Sequence, residues 1–251
     1  MVTIHSSNFP KQVVCLAPDD LTPAKLAMEV YPLVCRTDFT MPGFCLINAG
    51  TAIGSVAFRQ LMVDITREMA VIHQRLTGQT LIYLSAARFD QQNSTKPHLD
   101  GGPDESMLML GYEPSGIEAE LEISDYARCA ADLEITPLEF MAQHNPMFRP
   151  GFELLRPYAT VIPCFDPHLF QIVVINNSSA PNDGKSWQGT LHTATIPHPD
   201  ESKRRVINST MIAPAPIGTP DAVSPVELLD FVQTSQVRRR GNDKTYLEDD
   251  K

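Results

Sequence analysis

The stretch KPHLDGGPDESMLML carries a histidine and a carboxylate two positions apart, His98 and Asp100, just ahead of Gly101 and Gly102. In an extended chain, residues i and i+2 face the same side. One imidazole nitrogen and one carboxylate oxygen could then meet a single metal ion. Two protein ligands rarely suffice. The third donor is expected from His192 in GTLHTATI, with His198 in IPHPD as the reserve. Two histidines and one carboxylate on one face of an octahedral ion leave three positions open for small ligands, which suits ferrous iron. The competing reading is a polar turn, since a short HxD also arises by chance.

Arg204 and Arg205 follow His192 by twelve and thirteen residues and open the apolar segment VINSTMI. An arginine pointing inward at the start of a strand is costly unless it meets an anion. Its fork suits a carboxylate. Register does not decide between them, and Arg205 is preferred with Arg204 as the alternate. Around this constellation, Tyr112 is a candidate contact for an anionic cosubstrate. Arg88, Gln92 and Trp187 are candidate substrate contacts. Gln91, Gln92 and Asn93 form a polar cluster leading into the site, and Lys96 shares the His98 face if the segment is extended. Arg88 could equally pair with Asp90 or a surface glutamate, and the lone Trp187 could equally be core.

The other histidines have plainer readings. His5 lies near a terminus, His73 sits in an amphipathic helix, His144 closes a short helix and His168 lies in the turn FDPHLF. Asp104 and Glu105 read as a solvated turn, and NSSAPNDGKS (177–186) as a lid or a simple exposed loop.

Whatever holds these groups must be a folded core. The chain has 251 residues, 43% of them hydrophobic, and a formal net charge of -10. Nucleic acid is excluded as a first expectation, because phosphate backbones demand clustered Lys and Arg. The basic runs here, 203–205 and 238–240, are brief. Five scattered cysteines, without a CxxC, fit inert thiols in a reducing, cytoplasmic setting. No stretch is long and apolar enough to suggest a membrane span.

Helices are expected at 22–34, with Pro23 in its first turn, and at 53–77, where apolar residues recur near 3.6-residue spacing and Gly78 stops the helix. Strands are expected at 81–90, 105–114, 116–124, 152–163, 169–177, 187–196 and 204–213. The segment GIEAELEIS alternates Ile117, Ala119, Leu121 and Ile123 with glutamates, the mark of a half-exposed strand. ITPLEFMAQH (135–144) reads as a capped helix and VELLDFV (226–232) as another. Short strands punctuated by turns favour a mainly β, antiparallel barrel or sandwich.

HLD (98–100) followed by LHTATIPHPDESKRRVI (191–207) resembles the 2-oxoglutarate/Fe(II)-dependent oxygenase superfamily, whose pattern is HxD, a distal His and a later Arg. The resemblance covers roughly residues 80–213. It implies a double-stranded β-helix, a jelly-roll or cupin-like barrel, with supporting N-terminal helices. The division would be supporting helices at about 20–78, barrel core at about 80–213 and C-terminal extension at 214–251, all in a single domain (1–251). It implies Fe(II) on His98, Asp100 and His192, and 2-oxoglutarate on Arg205 or Arg204. The implied activity is dioxygen-dependent hydroxylation of a small molecule, such as a free amino acid or natural-product intermediate, with succinate and CO2 as coproducts. The retained Asp100 favours this over halogenation, in which a small residue vacates that position. Two alternatives stand beside it. One is a barrel that binds a small ligand without redox turnover, and the other is a cupin-like metalloenzyme that does not use 2-oxoglutarate.

Overall fold

The computed structural model describes residues 14–17 and 22–239, so His5 and Arg240 lie outside the described residues. Among the described residues, ten strands run in chain order: β1 (Cys15–Leu16), β2 (Phe44–Gly50), β3 (Thr80–Asp90), β4 (Met107–Tyr112), β5 (Glu120–Ser124), β6 (Ala159–Val161), β7 (Phe170–Asn176), β8 (Leu191–Thr195), β9 (Val206–Ala215) and β10 (Arg238–Arg239). Six helices accompany them: α1 (Pro23–Val34), α2 (Ser55–Thr77), α3 (Tyr126–Asp132), α4 (Pro137–Gln143), α5 (Arg149–Leu155) and α6 (Pro225–Gln233).

The strands form a seven-stranded sheet, order β1-β2-β7-β4-β9-β3-β10, and a three-stranded sheet, order β6-β5-β8. Pairing from β2 through β3 is antiparallel, while the two-residue edges β1 and β10 pair in parallel.

The centre of the large sheet, from β2 through β7 and β4 to β9, is buried on both faces, and the period-2 rule sorts its side chains. In β7, Ile172 and Val174 point to α1, α2 and α6, whereas Val173 and Ile175 point to the small sheet. In β2, Cys45 and Ile47 take the helical side and Phe44 and Leu46 the other. Two-sided burial explains why these strands read as continuous apolar runs rather than as alternating ones. From the small sheet, Leu121 and Ile123 of β5 meet Leu108, Leu110 and Tyr112 of β4. A third cluster ties α3, α4 and α5 to Leu191 of β8 and to Leu99.

The expected jelly-roll barrel is corrected: neither sheet closes on itself. Where closure would occur, residues 91–98 run between β3 and β8 without forming a ladder. Gln91 N–H donates to the Arg205 carbonyl, Thr95 N–H to the Ala194 carbonyl, and His98 and His192 form an isolated bridge. Pro97 has no N–H to offer.

The helix at 22–34 forms, with Pro23 in its first turn but no side-chain cap from Thr22. Gly78 ends α2 at φ 75°, a left-handed conformation that glycine adopts freely. The capping box at Thr136 and Glu139 is present. Residues 152–163 differ from the expected strand, being mostly the end of α5 and a short 3-10 turn, with only β6 extended. Five inert free thiols are also not found. Cys15 and Cys164 are joined as a disulfide, while Cys35, Cys45 and Cys129 are free. Among the described residues, no helix is long and apolar enough to cross a membrane.

Candidate metal centre and anion seat

His98 and Asp100 lie in the irregular segment rather than in a strand, and neighbouring elements hold their backbone. His98 N–H donates to the His192 carbonyl and receives the reciprocal bond. Asn177, just past β7, clamps Asp100 from both sides. Its Oδ1 accepts the Asp100 N–H at 2.9 Å and its Nδ2 donates to the Asp100 carbonyl at 2.9 Å. The same Nδ2 also donates to Ser106 Oγ at 3.0 Å. Sequence reasoning missed Asn177, reading it as the first residue of a lid or loop. A second amide at the end of the strongest strand was the available signal.

His98, Asp100 and His192 converge so that one ligand atom from each lies within 4.8 Å of the others. The His98 and His192 rings are 4.2 Å apart, and His98 Nε2 is 3.6 Å from Asp100 Oδ1. This is a two-histidine, one-carboxylate set able to hold a metal ion. His98 Nδ1 lies 2.8 Å from the Lys96 carbonyl, which can only accept. Nδ1 therefore carries a proton, and in the neutral imidazole this leaves the lone pair on Nε2, the tautomer a metal needs. Burial, with a smaller contribution from His98, pushes the His192 pKa down to about 3. Its imidazole is neutral at physiological pH, as a ligand must be.

Arg205 borders the same pocket. It is 3% exposed, its Nη1 donates to the Gln91 carbonyl at 3.1 Å, and its guanidinium stacks 5.0 Å from the Tyr112 ring centre. Its Nη2 is buried without a hydrogen-bond partner among the described residues. A buried cation with a spare donor is a seat for an anion. The register is set by Asp90, whose Oδ1 accepts the Arg205 N–H at 2.9 Å just before β9 begins. Arg204 is consequently exposed, with its carbonyl accepting from Ser115 Oγ.

The pocket is lined by Phe89, Leu110, Ala194 and Ile207, by Gln91, Asn93, Thr95 and Tyr112, and by the triad and Arg205. It is a small pocket, partly open to solvent.

Three candidates stand outside this lining. Arg88 faces the helical side, where its guanidinium meets Glu113 at 3.0 Å and the carbonyls of Ser235 and Gln236. Alternation along β3 sends it there, because Phe89 takes the pocket side. Trp187 is 4% exposed in the helical core, edge-on to His73 at 5.4 Å. Gln92 points outward and braces the 200–203 turn, donating to the Lys203 carbonyl and accepting the Asp200 N–H. Lys96 donates to the Met147 carbonyl, and His198 is exposed in its loop. His73 is buried and bonded to the Tyr31 hydroxyl at 2.8 Å.

No family model matches the chain, and no curated protein matches it. Among solved structures, it is similar to the iron and alpha-ketoglutarate-dependent endoperoxidase NvfI. Two structures of that protein, one described as having a different conformation, align at 10–11% identity. They cover 68% of this chain and 76–78% of that chain, with a TM-score of 0.31. A single-substitution variant aligns at 12% identity with the same TM-score. Likeness at this level carries no argument about activity.

Proposed function

We propose that this protein is an Fe(II)- and 2-oxoglutarate-dependent oxygenase that hydroxylates a small molecule. The observation that carries the reading is the juxtaposition of two features in one pocket: the two-histidine, one-carboxylate set, and a buried arginine with an unpartnered donor. The triad alone fits many metal enzymes. The arginine asks for an anion beside the metal, and a dicarboxylate that can also chelate iron answers both demands. This favours the oxygenase over a metalloenzyme that does not use 2-oxoglutarate.

His98 would offer Nε2, His192 a neutral ring nitrogen and Asp100 a carboxylate oxygen to the iron, and Arg205 would receive the distal carboxylate of 2-oxoglutarate. When bound, the iron and its cosubstrate supply the oxidising chemistry, with dioxygen consumed and succinate and CO2 released. The chain's own work is positioning. The Lys96 carbonyl fixes the His98 tautomer, Asn177 fixes the Asp100 backbone, and Tyr112 supports the guanidinium. Phe89, Leu110, Ala194 and Ile207 give the pocket its apolar walls.

The test is anaerobic addition of Fe(II) and 2-oxoglutarate to the purified protein. A weak visible charge-transfer band is expected, and it should be absent in His98→Ala. No band, together with no succinate formed in air, overturns the proposal.

A further inference from the structure

The pocket walls bear on which molecule is oxidised. Residues 91–95 lie in no regular element, and their side chains alternate between two sides. Gln91, Asn93 and Thr95 line the pocket, whereas Gln92 braces the 200–203 turn and Ser94 Oγ accepts the Ile196 N–H. The Thr95 hydroxyl is already engaged by the Ala194 N–H. The Gln91 and Asn93 carboxamides are half-buried, and their side chains make no hydrogen bond among the described residues. Each offers two donors and one acceptor, the complement of an amide group. The remaining walls, Phe89, Leu110, Ala194 and Ile207, are apolar.

Charge narrows the choice further. Among the described residues lining the pocket, Arg205 is the only permanently charged cation. With a cosubstrate carboxylate on its fork, no second protein cation is left, and the two charges of the iron would already be met by Asp100 and the cosubstrate's other carboxylate. A substrate carboxylate would be desolvated there without a partner, at a cost of several kcal/mol. A neutral amide would meet two carboxamides whose donors and acceptors are free. A site with polar groups of this kind rejects analogues that leave them unpaired.

We infer that Gln91 and Asn93 orient the primary substrate and select a neutral, largely apolar molecule bearing an amide, in preference to a free amino acid. The inference rests on the oxygenase reading. Its test uses N-acetylleucine methylamide as the neutral probe and leucine as the charged one. Binding is followed by ligand-observed NMR on the purified protein, and turnover by succinate release with Fe(II) and 2-oxoglutarate. The neutral probe should bind and stimulate succinate release, leucine should do neither, and Asn93→Leu and Gln91→Leu should each weaken the neutral probe at least 10-fold. The 2-oxoglutarate charge-transfer titration should stay in place in both variants. Stimulation by leucine equal to or greater than that by the amide overturns the inference. So does failure of the amide to bind a protein that forms the charge-transfer band, or unchanged amide binding in both variants. A loss confined to 2-oxoglutarate affinity would assign the carboxamides to the cosubstrate and equally overturn it. If the wild-type protein forms no band at all, the underlying oxygenase reading has failed, which is a separate result.

Discussion

Replacing Arg205 with methionine should separate ligand binding from folding, because the two respond in opposite ways. In the folded protein Arg205 is 3% exposed and its Nη2 is unpartnered among the described residues. Burial lowers its pKa, so the charge is held at a desolvation cost. Methionine removes that cost. It also removes the Nη1 bond to the Gln91 carbonyl and the stacking on Tyr112, together about 1–3 kcal/mol. Exchanging buried ionic groups for apolar ones is often neutral or stabilising by about 1–4 kcal/mol. The urea midpoint without ligand should therefore stay within about 1 kcal/mol of wild type. Binding of 2-oxoglutarate should behave differently. Stranding the partner of a buried, hydrogen-bonded charge costs about 2–5 kcal/mol. At about 1.4 kcal/mol per tenfold, the affinity should fall at least 30-fold. Arg205→Lys keeps the charge without the fork and should lie between the two. The assay is an anaerobic titration of 2-oxoglutarate into the Fe(II)-loaded protein, read at the charge-transfer band, beside a urea melt. An Arg205→Met protein that folds normally and binds 2-oxoglutarate within threefold of wild type would refute the assignment of the anion seat.

Three further outcomes follow from the scaffold. Asp125→Ala should cost about 3–5 kcal/mol, because Arg36 Nη2 sits 2.6 Å from Asp125 Oδ1 with both side chains 1% exposed, and the lost cap of α3 adds about 1 kcal/mol. A urea-derived loss under 1 kcal/mol contradicts this. Gly189→Ala should destabilise by more than about 2 kcal/mol and weaken iron binding, since a Cβ there collides with the Ser178 backbone carbonyl just before His192. Normal iron affinity in a folded Gly189→Ala protein counts against it. His73 is held neutral by burial, its pKa below 6.5, so its contribution is complete above pH 6.5 and is lost as pH falls toward the folded value. The unfolded chain takes up a proton that the folded chain refuses, at up to about 1.4 kcal/mol per pH unit. Urea melts from pH 8 to pH 5 should show a shallower acid slope for His73→Gln than for wild type, and equal slopes refute the account.

The residue types of the site were legible because a metal site needs few donors, and histidine and carboxylate side chains are the common ones. His98, Asp100 and His192 could be picked from the chain without knowing how they meet. The arginine could not be settled, because alternation gives parity only once the register is known. That register depends on Asp90, more than a hundred residues away, accepting the Arg205 N–H. The same gap misdirected the substrate contacts. Arg88 was placed near the pocket by an assumed strand parity and Gln92 by its place in the polar cluster before His98, yet each is one residue out of phase with its lining neighbour, Phe89 or Gln91. Strands β4 and β7 were found near their observed bounds, because two-sided burial makes long apolar runs. Residues 152–163 misled because Leu154, Leu155 and Tyr158 look like strand residues. Pro150 and Pro157 instead sit in the first turns of α5 and of the 3-10 turn that follows. Sheet closure depends on long-range pairing, which no local pattern encodes.

The open sheets and the site have one cause. Residues 91–98 would need a regular ladder to join β3 to β8, but they bond to the neighbouring backbone only at intervals, at Gln91, Thr95 and His98. Gln92, Ser94 and Thr95 spend side-chain oxygens or nitrogens on backbone partners that a ladder would otherwise supply. The irregular run leaves a cleft between the sheets, with Gln91, Asn93 and His98 on its wall. Straightening it would replace these contacts with strand pairing and close the cleft beside Arg205. The segment thus gives up sheet continuity where His98 and Asp100 must face His192, and local rules of regular structure fail there because the site requires it.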